Sequence, residues 1–287
     1  FPTRRSSDLT IKLFDSLVLP VLSYASEVWC PLLTKGLTEI NFLNKCDSTT
    51  FEKLNIKLCK YLLGVHRNSP NLAVKGELGR YPLLIKLLSH SFKYWNTLTF
   101  KKTTSLVHKS FLDSYETLLD APQSWLHCIQ DLMRTFNMLH IWENHGTRHH
   151  KQAAKRMVFY MEGLYENNWR EVLASDPVGG NKLRSYRLFK SNLSMENYIL
   201  NTRDKNSQKI FTSLRIGTLP LQIETGRHTK PKTPIGKRIC RMCHSDAVED
   251  EKHFVLECPR YSNDRSELFR KLQLFTSFDP KSPTAFE

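Results

Sequence analysis

Three observations predict a mainly α-helical chain that ends in a small, separately stabilised C-terminal module. Apolar residues recur at three- and four-residue steps through most of the sequence, the period that places them on one face of a helix. Two cysteines, then a histidine and a further cysteine, cluster near the end. Lys and Arg number 42 against 28 Asp and Glu, a formal net charge of +14, which points to a polyanionic partner or an anionic membrane surface, nucleic acid first. The 40% of hydrophobic residues among 287 is enough for a real core and excludes a disordered chain. No apolar run reaches the roughly 18 residues of a membrane span, and no leader with a small-residue cleavage site opens the sequence. An intracellular protein without a membrane partner is expected. Seven cysteines, four of them scattered (Cys30, Cys46, Cys59, Cys128), fit a reducing compartment with one metal site better than a disulfide framework.

In chain order, Phe1 to Leu9 sit apart from the residues after them and resemble the in-frame translation of a sequencing adapter. The expectation is a non-native segment at 1–9 on a fragment that has lost its true beginning. Leu13, Leu17, Val21, Tyr24 and Val28 form a stripe that predicts a helix kinked at Pro20. Ile40, Leu43, Phe51, Leu54, Leu58, Tyr61 and Leu62 predict a second, closed by Gly64 in the left-handed cap conformation. After the turn-rich Asn68-Ser69-Pro70 and the Gly76 to Gly79 segment, Tyr81-Pro82 leads into Leu84, Leu87, Leu88, Phe92 and Trp95 at core spacing. This aromatic stripe reads as packing rather than a stacking platform. Helical periodicity with frequent aromatics continues from Ser105 to Trp169. His145 and His149 could share a helix face as ligands, with His150 beside them, but Gly146 favours a solvated loop. Asp176-Pro177-Val178-Gly179-Gly180 is a breaker and the expected domain boundary. Beyond it, Leu183, Tyr186 and Phe189 share a helix with Arg184, Arg187 and Lys190, a basic stripe that could follow a phosphate path or face solvent. Phe211 to Leu221 alternates towards Gly217 and Pro220.

Cys240-Arg-Met-Cys243, His253 and Cys258 carry the chemistry. Two thiols on one tight turn, followed by a His-x4-Cys pair on a short helix stopped by Pro259, can put four soft ligands at the corners of a tetrahedron. Zinc suits that set, and a complete set leaves no open position, so the expected ion is structural. The competing reading is four core side chains that share this spacing by chance. From Thr225 to Ser245 there is no acidic residue, while Arg227, Lys230, Lys232, Lys237, Arg238 and Arg241 are basic. Such a run is often a solvated tail. Attached to a rigid metal node, it is expected to act as a phosphate-contacting arm. Glu249-Asp250-Glu251 precedes His253 where a first helical turn favours negative charge, and is read as a capping device.

Cys240, Cys243, Glu249-Asp250-Glu251, His253-Phe254, Cys258-Pro259, Tyr261 and Arg265 together resemble the C-terminal CCHC zinc-binding segment of reverse transcriptases from non-LTR (LINE-like) retrotransposons. The stretch from Leu13 to Pro20 with Tyr24 and Glu27-Val28-Trp29, the runs Leu62 to Val65 and Gly76 to Leu83, and Lys182 to Tyr186 are also similar to that family. The resemblance implies thumb-like helices at 10–66, a helical linker region at 67–180, a helical segment at 181–224, and a basic arm with a zinc knuckle at 225–287. It further implies RNA and DNA as partners, a polymerase palm upstream in the parent protein, and a nuclear and cytoplasmic ribonucleoprotein. Nucleotidyl transfer needs paired carboxylates on two metal ions. The chain contains no Asp-Asp pair, and Asp279-Pro280-Lys281 is too slight for a nuclease site. No catalytic residue is therefore assigned, and the chain alone is expected not to polymerise. A helical adaptor whose zinc module docks a protein, and a thiol or metal hydrolase built on Cys240 or His253, are the alternatives.

Overall fold

The computed structural model describes residues 6–101, 104–117, 124–144, 152–175, 182–202 and 204–275. His145, His149 and His150, the breaker at 176–180, residues 1–5 and the Asp279 segment lie outside them. Helices dominate: α1 (Ser6–Leu13), α2 (Leu19–Leu22), α3 (Ser26–Trp29), α4 (Phe42–Ser48), α5 (Thr50–Leu63), α6 (Asn71–Leu78), α7 (Leu83–Thr99), α8 (Leu106–Glu116), α9 (Trp125–Thr135), α10 (Leu139–Glu143), α11 (Ala153–Ala174), α12 (Tyr186–Phe189), α13 (Asn197–Asn201), α14 (Lys205–Arg215), α15 (Gln222–Thr225) and α16 (Ser262–Phe275). Extended pairing among the described residues is limited to two isolated bridges, Leu78 with Met195 and Ile239 with Val248. No single helix among them is long and apolar enough to cross a membrane. The chain divides into two compact units, one of Phe1–Leu58 and Gly79–Val172, the other of Cys59–Leu78 and Leu173–Glu287.

In the first unit the regular helix α7 behaves as its pattern predicts, with Leu84, Leu87, Leu88, Phe92 and Trp95 all buried and Trp95 stacked on Trp142 at 5.8 Å. Its first turn is capped from a distance: the buried Glu52 carboxylate accepts the Leu83 N–H at 2.8 Å, satisfying one of the orphan donors of a helix start. The N-terminal segment departs from the kinked helix expected of it. A π turn over Phe14–Val18 precedes Pro20, and the chain then breaks at Ala25, whose φ is +53°. A π turn adds a residue to one helical turn and so rotates everything after it relative to what lies before. As a result Leu13, Leu17, Val21, Tyr24 and Val28 are exposed, while Phe14 and Leu19 pack with Leu83, and Leu22, Phe51 and Leu58 close around them. The second stripe is likewise two helices, α4 and α5, and Ile40, Leu54 and Tyr61 on it face solvent.

The second unit is held by a buried polar cluster. Glu77, on α6 in a stretch read as turn-rich, is fully buried. Its carboxylate accepts from Arg215 Nε at 3.0 Å and Nη2 at 3.0 Å, and from the Tyr198 hydroxyl at 2.5 Å. Arg215 also lies 4.4 Å above the Phe189 ring and pairs with Glu196 at 3.1 Å. Burial, with Glu77 adding to it, pushes the Tyr198 phenol well above its usual range. Phe211 to Leu221 proves helical as far as Arg215, because Thr212 and Gln208 turn inward at one-turn spacing. Gly64 takes the left-handed conformation expected of it, φ +66°, and a Cβ there would lie 3.3 Å from Lys209 Cβ. Gly64→Ala is therefore expected to destabilise the chain by about 1–2 kcal/mol through the left-handed backbone, read as a lower midpoint in urea.

Candidate metal centre and basic arm

The cysteine turn is built on a short antiparallel pairing. Cys240 N–H donates to Ala247 O at 2.8 Å and Glu249 N–H to Arg238 O at 3.0 Å. Between these strand-like edges His244 and Asp246 adopt positive φ, which closes the loop tightly enough to bring Cys243 back beside Cys240. The Met242 N–H donates to Cys240 Sγ at 3.4 Å, the kind of contact that favours a thiolate.

The other two donors come from a π turn, His253–Glu257, where a plain helical turn is expected. At about 100° per residue an α-helix would set positions five apart roughly 140° away from each other. The wider turn, closed by Cys258 N–H on His253 O at 2.7 Å, brings His253 and Cys258 to one side, and Pro259 follows at the start of a 3-10 turn. Arg265 from α16 holds this geometry, donating to Val255 O at 2.8 Å and Cys258 O at 2.6 Å. Phe254 and Tyr261 pack edge to face at 5.1 Å. Of the acidic triplet, Asp250 caps the turn, accepting the His253 N–H at 2.8 Å. Glu249 instead accepts the Gln222 N–H at 2.8 Å, and the buried Glu251 accepts from Arg184 Nε at 2.9 Å and Ser185 Oγ at 3.0 Å. Those two carboxylates fasten the module to the segments preceding it.

The four donor atoms of Cys240, Cys243, His253 and Cys258 lie within 4.8 Å of one another, and the group can hold a metal ion. Cys240 Sγ is 4.0 Å from Cys258 Sγ, and Cys243 Sγ is 3.4 Å from His253 Nε2. A tetrahedral ion with metal–sulfur bonds of about 2.3 Å has ligand–ligand edges of roughly 3.8 Å, close to both of these separations. His253 Nδ1 is buried without a hydrogen bond among the described residues, and lies 3.9 Å from the Glu257 carboxylate. The thiols differ. Burial pushes Cys240 up to about 11, whereas the Ser245 hydroxyl holds Cys243 down at about 6. No family model, curated protein or solved structure matches the chain.

The nine basic residues singled out in the sequence separate into two groups. Arg184 is committed to Glu251, and Lys190, buried, to Glu196 and Ser194 O. Arg227 pairs with Glu224 at 3.0 Å, and Arg187 Nε donates to Leu183 O at 3.2 Å. Arg238 is buried and donates to Thr233 O at 2.9 Å and Ile223 O at 2.7 Å. Its stem passes so close to Gly226 that a Cβ there would meet it at 2.8 Å. Lys230, Lys232, Lys237 and Arg241 are exposed, and no ion pair engages them among the described residues. Sequence reasoning missed the Glu77–Arg215 cluster, because its members are 138 positions apart. It also missed a hydroxyl–imidazole pair, Ser26 Oγ to His90 Nδ1 at 2.9 Å. Ser26 is fully buried, so that hydroxyl has no access to a substrate.

Proposed function

We propose that the C-terminal module binds one structural zinc ion through Cys240, Cys243, His253 and Cys258, and that the chain binds nucleic acid through the exposed cations beside it. The observation that carries the first part is the donor set: three sulfurs and one imidazole nitrogen within 4.8 Å of one another, the soft combination that zinc prefers. When bound, zinc supplies folding free energy and fixes the turn; with four protein ligands it offers no position for a substrate. The second part rests on the free, exposed charges of Lys230, Lys232, Lys237 and Arg241 on a segment held by the Thr233 N–H on Gly226 O, by Arg238 on Thr233 O and Ile223 O, and by the cysteine turn that follows. Phosphates complement such a row.

The motif resemblance supports an origin in a non-LTR retrotransposon reverse transcriptase, as the region that contacts template RNA and primer DNA, without the palm carboxylates. On this reading the chain is intracellular and does not extend a primer. Template-dependent synthesis by the purified protein would overturn that. Replacing Lys230, Lys232, Lys237 and Arg241 by alanine is expected to weaken binding evenly across sequences and to lower the salt slope by about four, one per lost phosphate contact. Fluorescence anisotropy at graded salt measures it. Wild-type binding that ignores salt, or is absent for RNA and DNA alike, would favour the adaptor reading, for which the exposed Ile235, Ile239 and Met242 offer a protein-docking patch.

A further inference from the structure

A separate part of the second unit has features that the metal module does not use. Tyr61, in the last turn of α5, is 78% exposed, and its side chain makes no hydrogen bond or ring contact among the described residues. Gly64, three positions on, lies on the same helical face, and across it runs the stem of Lys209 from α14, whose Cβ, Cγ and Cδ would sit 3.3–3.6 Å from any Cβ at position 64. Gln208 Nε2 donates to Leu62 O at 3.3 Å and so fixes α14 against the end of α5. Lys60 Nζ donates to Arg67 O at 2.7 Å, folding the following loop back along the same helix. Arg67 and Lys209 are exposed and no carboxylate pairs with either among the described residues. Burial, and then the charge of Lys182, hold the Lys60 ammonium below its usual range.

Cations at a helix C-terminus are stabilised by the helix dipole, which accounts for Lys60 and Lys209. It gives no reason for an exposed aromatic ring, Tyr61, at the same end of α5. A flat ring flanked by unpaired cations is the arrangement that takes a base on its face and the adjoining phosphates at its edges. We infer that Tyr61, Arg67 and Lys209, supported by Lys60, form a second nucleic-acid contact that takes an unpaired base, so that this end of α5 engages single strands in preference to duplex. The inference rests on the nucleic-acid reading proposed above and adds the substrate class.

The test uses the full chain with labelled oligodeoxythymidylate and a blunt DNA duplex of equal length. Tyr61→Ala is expected to weaken single-strand binding by about tenfold and to leave duplex binding within about twofold. Tyr61→Phe keeps the ring and is expected to bind like wild type. Arg67→Ala with Lys209→Ala is expected to lower the salt slope by about two on the single strand. Equal losses on single strand and duplex, no loss in Tyr61→Ala, or a Tyr61→Phe variant as weak as Tyr61→Ala would overturn the inference while leaving the arm's role intact. A wild-type chain that binds neither oligonucleotide overturns both. Circular dichroism of each variant identifies any loss that comes from unfolding, and for a variant that fails to fold, Tyr61→Ser gives the same comparison.

Discussion

Removal of zinc by a chelator is expected to expose the segment from Arg238 to Arg265 to trypsin, with early cuts at Arg241 and Lys252, both exposed and both between candidate ligands, and at Arg260, exposed just beyond Cys258. The described contacts within this segment are mostly local: two backbone bonds across the antiparallel bridge, one π turn capped by Asp250, a 3-10 turn, one ring pair and the clamp from Arg265. Such a small set does not offset the conformational entropy of ordering some two dozen residues at roughly 1–2 kcal/mol each. A structural zinc ion contributes on the order of 10 kcal/mol or more to a module of this kind, so on the zinc reading proposed above the ion is expected to be the main source of its stability. His253→Ala and Cys258→Ser are expected to behave like the chelated protein and to bind less than one zinc per chain, measured by metal analysis of dialysed protein. Cys243→Ser is expected to do the same. Cleavage kinetics that do not change on chelation, with no zinc in the dialysed wild-type protein, would show that the four residues are core side chains brought together by packing alone, and full zinc content in His253→Ala would remove His253 from the ligand set.

The second large effect is expected at Glu77. Glu77→Gln removes the charge opposite Arg215 while keeping the shape of the side chain, and leaves the mostly buried guanidinium facing a neutral amide at a fully buried position. Breaking one partner of a buried pair costs about 3–5 kcal/mol, because the remaining charge has lost its compensation. Glu196, at 3.1 Å, retains part of that compensation, so the lower end of the range is the expected value. Chemical denaturation followed by tryptophan fluorescence measures it. Substituting Arg215 and Glu77 together by Met and Leu is expected to recover much of the loss, since an apolar pair of similar volume does not need the desolvation of two charges to be balanced. A single substitution costing under about 1 kcal/mol would mean that Glu196 alone neutralises Arg215.

Much of the fold was legible where helices are regular. In α7 every apolar residue at three- and four-residue spacing is buried, since the pattern and the helix share one period. The N-terminal segment was not legible in the same way. Its stripe from Leu13 to Val28 has helical spacing, but the π turn at Phe14–Val18 changes the phase midway, and no residue type announces a π turn. At the metal centre the four donors could be found by spacing alone, because ligand spacing is a property of the local chain. The basic residues could not be sorted that way. Whether Arg184, Lys190 or Arg227 has charge to offer a phosphate depends on Glu251, Glu196 and Glu224, and only the tertiary fold says which carboxylate meets which cation. Arg238 illustrates this most sharply: in sequence it is the centre of the basic run, and in the structure it is a buried strut between Ile223 and Thr233.

The make-up of the second unit also sets a timetable. Cys59–Leu78 belongs with residues that begin at Leu173, and Glu77 meets Arg215 across 138 positions. During synthesis at about 5–20 residues per second, Glu77 leaves the ribosome roughly 7–28 s before its partner exists. For most of that interval α6 has neither the cation nor the Tyr198 hydroxyl, which follows Glu77 by 121 positions, that its carboxylate requires once buried. Glu77 can be buried with its charge compensated only once α14 has been made, so the order of the chain delays the closing of this unit.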